Sequence, residues 1–364
     1  MLSDAPPVEP STPNATAAGG AGPLAAVADA LYLPPAVAER LAATAARVAG
    51  ARAPNTLRAL RADLARWTRW CRAARRLPLP ARADDVTAFV DAHATTRAPA
   101  TLRRYVASVA ALHRAAGVPD PTKAEDVRLA LTAASRAWAD ARAAAGQGTR
   151  QRQAAGLTER AVAHILASYD ADGPARLIDL RDVALLLVAR DLLARRSELV
   201  AVRVEDVVAA DDGGATVHVR RSKTDQFGAG ATAYVGPEAY AALRAWLDAA
   251  GLAAGPAFRA VSAHGRVGPT ALHAQKVPAV LKKLAARAAP QLRRLGLDPA
   301  QVSGHSGRVG MAQDLVGAGL ELPAVMQAGR WTTPAMVARY AERLLAERGA
   351  VAQYHARKRR DRHA

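Results

Sequence analysis

The most informative stretch of the C-terminal half is "GHSGRVGMAQDLVGAGLELPAVMQAGRWTTPAMVARY", residues 304–340. His305 and Arg308 stand three residues apart among small residues, at the head of a predicted helix. Small residues there let a phosphate approach the backbone while both side chains reach it. The alternative is an ordinary solvated helix start in an arginine-rich chain. Further along, Thr333 and Pro334 form the capping pair of another predicted helix.

The whole chain is strongly basic. Its 364 residues include 50 Lys and Arg against 32 Asp and Glu, which gives a formal net charge of +18. Half of the residues are apolar and only 4% are aromatic, so we expect two mostly helical domains. Nucleic acid is the simplest partner for such a charge, although a genomic bias toward alanine and arginine explains part of it.

Cysteine content and hydropathy indicate the compartment. The single cysteine, Cys71, excludes an internal disulfide and a cysteine-based metal cluster, and it suits a reducing environment. The apolar run at 183–189 is too short to span a bilayer, and the acidic, proline-containing N-terminus does not resemble a secretion signal. We expect a cytoplasmic, nucleoid-associated protein of bacterial or phage origin with no membrane partner.

The N-terminal part predicts a disordered tail, a helical domain and a linker. Residues 1–33 are rich in Pro, Ala, Gly and Ser and predict disorder. Residues 34–140 predict a helical DNA-binding domain that includes amphipathic helices at 55–76 and 98–117, and the Gly-containing segment 141–156 predicts the linker. Arginine-only polar faces on two helices favour a DNA-facing surface over a solvated one. The candidate contacts on these faces are Arg58, Arg61, Arg69, Arg72, Arg76, Arg103 and Arg104.

Residues 157–354 predict a second domain that ends in a C-terminal helix, followed by a basic tail at 355–364. Its first helices are predicted at 158–169 and 177–195. The segment 215–236 is the one convincing strand region, because apolar and polar residues alternate around a Gly-containing loop. The rest of the domain is predicted to be helical. The fold class is therefore mainly α with a small antiparallel β-sheet.

Three motifs together resemble the tyrosine recombinase (phage integrase) family. Besides the quoted stretch, these are "RRSELVAVRVEDV" (195–207), which resembles the motif of the first arginine, and "RRSKTDQ" (220–226), which resembles the hairpin that carries a lysine. The resemblance extends over about residues 34–354 and is strongest near the C-terminus. An Arg–Lys–His–Arg–Trp–Tyr series in this order is highly specific. In this chain the series is Arg195, Lys223, His305, Arg308, Trp331 and Tyr340.

The resemblance implies a DNA clamp made of a core-binding domain and a catalytic domain. In this chemistry Tyr340 attacks the scissile phosphorus and forms a 3′-phosphotyrosine. Arg195 and Arg308 grip the non-bridging oxygens, Lys223 protonates the 5′ oxygen, and His305 shares in proton transfer. No metal, ATP or other cofactor is implied.

The resemblance also implies supporting roles. Trp331 stands where most members carry a second histidine; its indole N–H offers one hydrogen bond, and its ring packs near Tyr340. Glu198, three residues after Arg195, orients the arginine or the histidine. Arg330 stands where the most similar motif has glycine, and we expect it to contact phosphate.

The expected partners are double-stranded DNA with a short inverted-repeat site and three further copies of the chain. The protein is expected to be a monomer in solution and a tetramer on DNA, with the helix at 347–358 docking into a neighbouring subunit or packing within its own. The segment 270–290 resembles the helix that enters the major groove. Its candidate contacts are Gln275, Lys276, Lys282 and Lys283.

Other interpretations remain open. A type IB topoisomerase or a telomere resolvase uses similar chemistry, and a DNA-binding architectural protein could carry an inactive site. Each candidate residue taken singly also has an ordinary structural explanation, for example a helix-end arginine or a surface tyrosine. A site-specific recombinase is the prediction that accounts for all of them together.

Overall fold

The computed structural model describes residues 33–149, 153–170, 176–220, 230–347 and 349–360. The chain divides into two compact units, residues 1–151 and 152–364, and each unit has its own buried core. The boundary falls within the segment 141–156 that was predicted as a linker. The predicted tail at 1–33 lies, except for its last residue, outside the described residues.

The N-terminal unit is helical throughout its described elements, as the amphipathic patterns predict. Several of its helices begin with proline at the first position, where the missing N–H costs no hydrogen bond. The helices are α1 (Pro35–Ala51), α2 (Pro54–Ala73), α3 (Ala83–Asp91), α4 (Pro99–Ala116) and α5 (Glu125–Ala144).

An aromatic cluster forms the centre of this unit's core. The rings of Trp67 and Phe89 meet edge to face with centroids 5.2 Å apart, and the Trp67 indole donates to the Pro78 carbonyl at 3.0 Å. Cys71 is buried beside them, and burial raises the pKa of its thiol to about 12. This cysteine is therefore an inert core residue.

Two predicted boundaries in this unit were wrong. Helix α2 ends at Ala73 because Arg75 adopts a left-handed φ of 54°, so Arg76 lies beyond the predicted helical face. Helix α5 continues to Ala144, three residues past the predicted start of the linker, since its alanine-rich end continues the helix.

The described part of the C-terminal unit contains ten α-helices and two small sheets. The helices are α6 (Glu159–Asp170), α7 (Leu177–Asp191), α8 (Arg196–Leu199), α9 (Pro237–Ala249), α10 (Val277–Arg287), α11 (Ala289–Arg294), α12 (Ser306–Gly317), α13 (Leu322–Gly329), α14 (Pro334–Glu347) and α15 (Ala350–Arg360). Helix α7 is the centre of the main core: its run from Ala184 to Ala189 is buried, and its charged residues Asp179, Arg181, Asp182 and Arg190 are buried as well. Its buried partners include Trp246, Phe258 and Leu281.

The predicted strand region forms part of a three-stranded antiparallel sheet with the order β1–β2–β3. The strands are β1 (Val207–Ala209), β2 (Ala215–Val219) and β3 (Ala231–Val235), and β2 pairs with β3 from Ala215 opposite Val235 to Val219 opposite Ala231. Residues 221–229, between β2 and β3 in the sequence, lie outside the described part of the chain.

A second sheet was missed by the sequence analysis, which predicted only helix after β3. Strands β4 (Arg259–Val261) and β5 (Val267–Ala271) form a hairpin around Gly265, whose φ is 73°. Gly268 and Pro269 interrupt the apolar alternation of β5, so the pattern of a strand is hidden there.

Other differences concern helix ends. The helix predicted at 177–195 stops at Asp191, and the predicted basic tail is helical as far as Arg360. The structure class, mainly α with small antiparallel sheets, is confirmed. Within the described residues, every helix is too short or too polar to cross a bilayer.

Candidate active site

The start of α12 is held in place by its own serines. The Ser306 hydroxyl accepts from the Ser303 backbone N–H at 2.8 Å, and the Ser303 hydroxyl accepts from the His305 N–H at 3.2 Å. The Ser306 carbonyl in turn accepts from Leu157 N–H at 2.9 Å. These bonds place His305 just before the helix and Arg308 within its first turn.

Arg308 is almost completely buried, with 2% of its surface exposed. One terminal nitrogen donates to the Leu193 carbonyl, and the other donates to the Gly329 carbonyl at 2.6 Å. The guanidinium carbon also lies 4.5 Å from the centre of the Trp331 ring. Burial, reinforced by the positive charge of Arg195, lowers the pKa of the Arg308 guanidinium. The Arg308 side chain therefore connects the start of α12 to the ends of α7 and α13.

A buried carboxylate holds two further arginines. Glu198 accepts from Arg195 Nη1 at 2.7 Å and from the Arg195 backbone N–H at 3.0 Å. Arg330 Nη2 donates to the same carboxylate at 3.0 Å and to the Leu192 carbonyl at 3.0 Å. Burial opposes ionisation of Glu198, but the hydrogen bonds from Arg195 outweigh it and lower the pKa of the carboxyl. Glu198 thus orients both guanidiniums.

We expected Arg330 to contact phosphate, but its side chain is mostly buried and faces a carboxylate. Its backbone adopts a left-handed φ of 53° at the end of α13, and its side chain is 13% exposed. Nε and Nη1 are buried without a hydrogen-bond partner among the described residues. Its charge is directed to Glu198 rather than to open solvent.

His305, directly before α12, is exposed. Partial desolvation of the ring is the main reason that its pKa is lowered, and the positive charges of Arg308, Arg196 and Arg195 lower it further. A neutral imidazole at neutral pH can accept a proton.

Trp331 and Tyr340 belong to a second, smaller apolar cluster in this unit. Their ring centroids are 5.8 Å apart, and Tyr340 on α14 is half-buried. Gly329 allows this packing, since a Cβ there would lie 2.0 Å from the Trp331 ring. The buried members of the cluster are Leu193, Ala312, Val316, Val325, Trp331, Val337 and Ala341.

The structure brings six of the predicted residues together in one unit. Lys223 is among residues 221–229, which are outside the described part of the chain, between the end of β2 at Val219 and the start of β3 at Ala231. The six that are brought together are Arg195, Glu198, His305, Arg308, Trp331 and Tyr340.

The candidate DNA contacts of the N-terminal unit are exposed, and several have partners within the protein. Arg76 pairs with Asp85 at 2.5 Å, and Arg104 pairs with the buried Asp63 at 3.0 Å. Arg103 donates to a serine hydroxyl of α5 at 3.3 Å. The exposed candidates on α2 are Arg58, Arg61, Arg69 and Arg72.

In the C-terminal unit, three of the four candidates near α10 are exposed: Gln275, Lys276 and Lys282. Lys283 is half-buried and pairs with Asp182 at 2.7 Å and with Asp179 at 3.4 Å. Its ammonium neutralises two carboxylates of α7.

Three residues of the site were missed by the sequence analysis. The first is Arg196, whose charge acts on His305; the two adjacent arginines at 195 and 196 were the available signal. Gln153 and Gln313 both donate to the Tyr340 carbonyl. No sequence pattern singles out these two amides.

The chain belongs to the phage integrase family, whose sequence profile matches residues 156–346. It is 27% identical over 292 residues to the Cre recombinase of Escherichia phage P1, covering 78% of this chain and 83% of that protein. It is 29% identical over 314 residues to an integrase/recombinase XerD homolog of Selenomonas ruminantium, covering 84% and 86%. These matches confirm the resemblance to tyrosine recombinases.

Solved structures share the fold. The XerH site-specific recombinase bound to a palindromic difH substrate, in a post-cleavage complex, superposes with a TM-score of 0.58. The match covers 91% of this chain and 94% of that one at 12% identity, so it bears on the fold alone.

Proposed function

We propose that this chain is a site-specific DNA recombinase that cuts and rejoins strands through a 3′-phosphotyrosine and a Holliday junction, without metal or ATP. One observation carries the proposal: Arg308 lies over the Trp331 ring, which packs against Tyr340. The charge of Arg195 acts on Arg308, and the charges of both arginines act on the His305 imidazole. A phosphodiester seated beside the two guanidiniums and the imidazole would be within reach of the phenol.

In the cleavage step the Tyr340 oxygen forms a bond to the scissile phosphorus, and the bond from phosphorus to the 5′ oxygen breaks. Free tyrosine has a pKa of about 10, so the phenol gives up its proton during attack. His305, whose pKa is lowered, accepts that proton, and Lys223 donates one to the leaving 5′ oxygen. Rejoining is the reverse, with a 5′-hydroxyl as nucleophile, so the phosphodiester's free energy is conserved and ATP is not needed.

The arginines stabilise the phosphorane. A guanidinium has five N–H donors. The Leu193 and Gly329 carbonyls take two from Arg308, which leaves three for the non-bridging oxygens. Because Glu198 and the carbonyls hold Arg195 and Arg308 before the DNA arrives, little reorganisation is required. Preorganised donors of this kind contribute about 3–4 kcal/mol each to transition-state stabilisation.

The arginine face of α2 in the N-terminal unit and the segment before α10 in the C-terminal unit are proposed to contact the DNA. The net charge of +18 supports a polyanionic partner. Four copies assemble on two inverted-repeat sites, and helix α15, with Val351 and Tyr354 exposed, docks into the neighbouring subunit. The protein is monomeric without DNA and acts in the cytoplasm.

Covalent capture tests the proposal. The full chain is incubated with a library of nicked duplexes that carry randomised inverted repeats around a short spacer, and adducts that survive denaturation are sequenced. We expect an adduct with the wild-type protein and with Tyr240→Phe, a half-buried tyrosine on α9, but none with Tyr340→Phe. Salt-sensitive DNA binding stays nearly unchanged in Tyr340→Phe.

The other interpretations give different results. Intact DNA binding without any adduct would identify an architectural protein. Relaxation of supercoiled plasmids that lack the recovered site would identify a topoisomerase, and hairpin ends as the only product would identify a telomere resolvase.

A further inference from the structure

The backbone directly after Tyr340 leaves helical geometry. Helix α14 runs from Pro334 to Glu347, but Ala341 within it has φ −110° and ψ 18°. Such a kink disturbs the regular pattern of carbonyl-to-amide hydrogen bonds and lets side chains enter it. The residue that carries the proposed nucleophile therefore sits at an irregular point of its helix.

Two side-chain amides converge on the carbonyl at this point. Gln313 Nε2 donates to the Tyr340 carbonyl oxygen at 3.1 Å, and Gln153 Nε2 donates to the same oxygen at 3.3 Å. A carbonyl oxygen has two lone pairs, so both bonds can form together. Both glutamines are half-buried, so part of the competing water is excluded from these bonds.

The two glutamines come from elements that also build the phosphate-binding part of the site. Gln313 lies on α12, five residues after Arg308. Gln153 lies in the segment that leads to α6, and this segment packs tightly on α12. A Cβ on Gly156 would lie 2.1 Å from the Gln313 side-chain oxygen and 3.2 Å from the Gly310 Cα. The backbone of the nucleophile is thus tied to the helix of His305 and Arg308.

We propose that Gln153 and Gln313 are positioning residues that set the approach of the Tyr340 phenol to the phosphate by holding the Tyr340 carbonyl. This rests on the proposed function. Neither amide is placed to carry charge or exchange a proton in the reaction, so their effect acts through Tyr340. A displacement of a reacting group by about 1 Å costs on the order of 100-fold in rate.

Near-isosteric substitutions without a donor test the two bonds. In the full chain, Gln153→Met with Gln313→Met is expected to lower the single-turnover rate of adduct formation about 10- to 100-fold. The DNA dissociation constant and the thermal midpoint stay close to wild type. A second double variant, Gln153→Met with Gln313→Arg, has N–H groups at position 313 again. It is expected to regain much of the rate that Gln153→Met with Gln313→Met loses. Gln291→Met on α11, an exposed glutamine, is the control and keeps the wild-type rate.

Hydrogen exchange on the free protein tests the two hydrogen bonds to the Tyr340 carbonyl without requiring DNA cleavage. Backbone amides of residues 338–346 are expected to exchange faster in the double variant than in wild type or Gln291→Met. Unchanged exchange, or a wild-type cleavage rate in the double variant, would overturn the proposal. A rate that falls only in parallel with affinity and thermal midpoint would assign the glutamines to general folding. Absence of any adduct with the wild-type protein would instead count against the proposed function.

Discussion

The guanidinium of Arg308 and the indole of Trp331 form a stacked pair, with 4.5 Å between the guanidinium carbon and the ring centre. Trp331 is 9% exposed, so the pair is shielded from most of the solvent. A cation over an aromatic face gains more in such a place than at the surface. Trp331 therefore contacts both Arg308, the proposed phosphate-binding cation, and Tyr340, the proposed nucleophile.

Truncation of this indole should destabilise the C-terminal unit. We expect Trp331→Ala to lower the free energy of unfolding by about 3–5 kcal/mol through loss of buried contacts. Trp331→Phe keeps an aromatic face under Arg308 and should cost about 1–2 kcal/mol. Denaturant titration of the full chain measures both values. Trp138 on α5, a half-buried tryptophan that also lies under an arginine, Arg142, is the matched control. Equal losses for Trp138→Ala and Trp331→Ala would contradict the assigned packing.

Two substitutions of Arg330 separate the strain of its left-handed backbone from the stabilisation by its ion pair with Glu198. Both Arg330→Gly and Arg330→Ala remove the contact with Glu198, but only glycine adopts a φ of 53° without strain. We expect the glycine variant to be more stable than the alanine variant by about 1 kcal/mol. Equilibrium unfolding of the two variants side by side gives this difference. Identical stabilities would show that the left-handed backbone stores no strain.

The arginine face of α2 should control the salt dependence of DNA binding. Replacing Arg58 and Arg69 with glutamine removes two exposed cations, so the slope of log K against log salt should become less negative by about 2. Fluorescence anisotropy with a labelled duplex at several salt concentrations measures the slope. Arg128→Gln, an exposed arginine of α5 paired with Glu125, serves as the control. An unaltered slope in the double variant would place the α2 face away from DNA.

His113 should make the N-terminal unit sensitive to acid. Its ring is fully buried; Nε2 accepts from the Ala81 N–H at 2.9 Å, and Nδ1 bonds to the Val109 carbonyl. Burial lowers the pKa of this imidazole, so the unfolded state binds a proton more readily than the folded state. The buried neutral His113 therefore contributes fully to stability above the pKa of histidine in the unfolded chain, about 6.5. This contribution is lost as the pH falls below that value.

Scanning calorimetry of the full chain between pH 8 and pH 5 tests this sign. We expect His113→Gln to lower the transition temperature at pH 8 and to flatten its decline toward pH 5. Leu112→Ala removes a neighbouring buried side chain but keeps the imidazole, so it should lower the transition and preserve the decline. The same decline in His113→Gln as in wild type would mean that other groups cause the acid sensitivity.

Local sequence was sufficient for most helices and for the chemical types in the site. The amphipathic patterns predicted α2 and α4 to within three residues at each end, because burial of one helix face leaves a period in the sequence. The short β4–β5 hairpin left no such pattern, since Gly268 and Pro269 interrupt the alternation of β5.

By itself the sequence determined the class of fold, the family and which side chains are available for phosphate chemistry. Only the tertiary structure decided their partners. Arg330 meets Glu198 across 132 positions of the chain, and Lys283 meets Asp182 across 101. Likewise, two separate glutamines reach one carbonyl beside Tyr340. The reason is physical: a helical period is a local property, whereas a buried charge or carbonyl is satisfied by whichever group the packing brings near it.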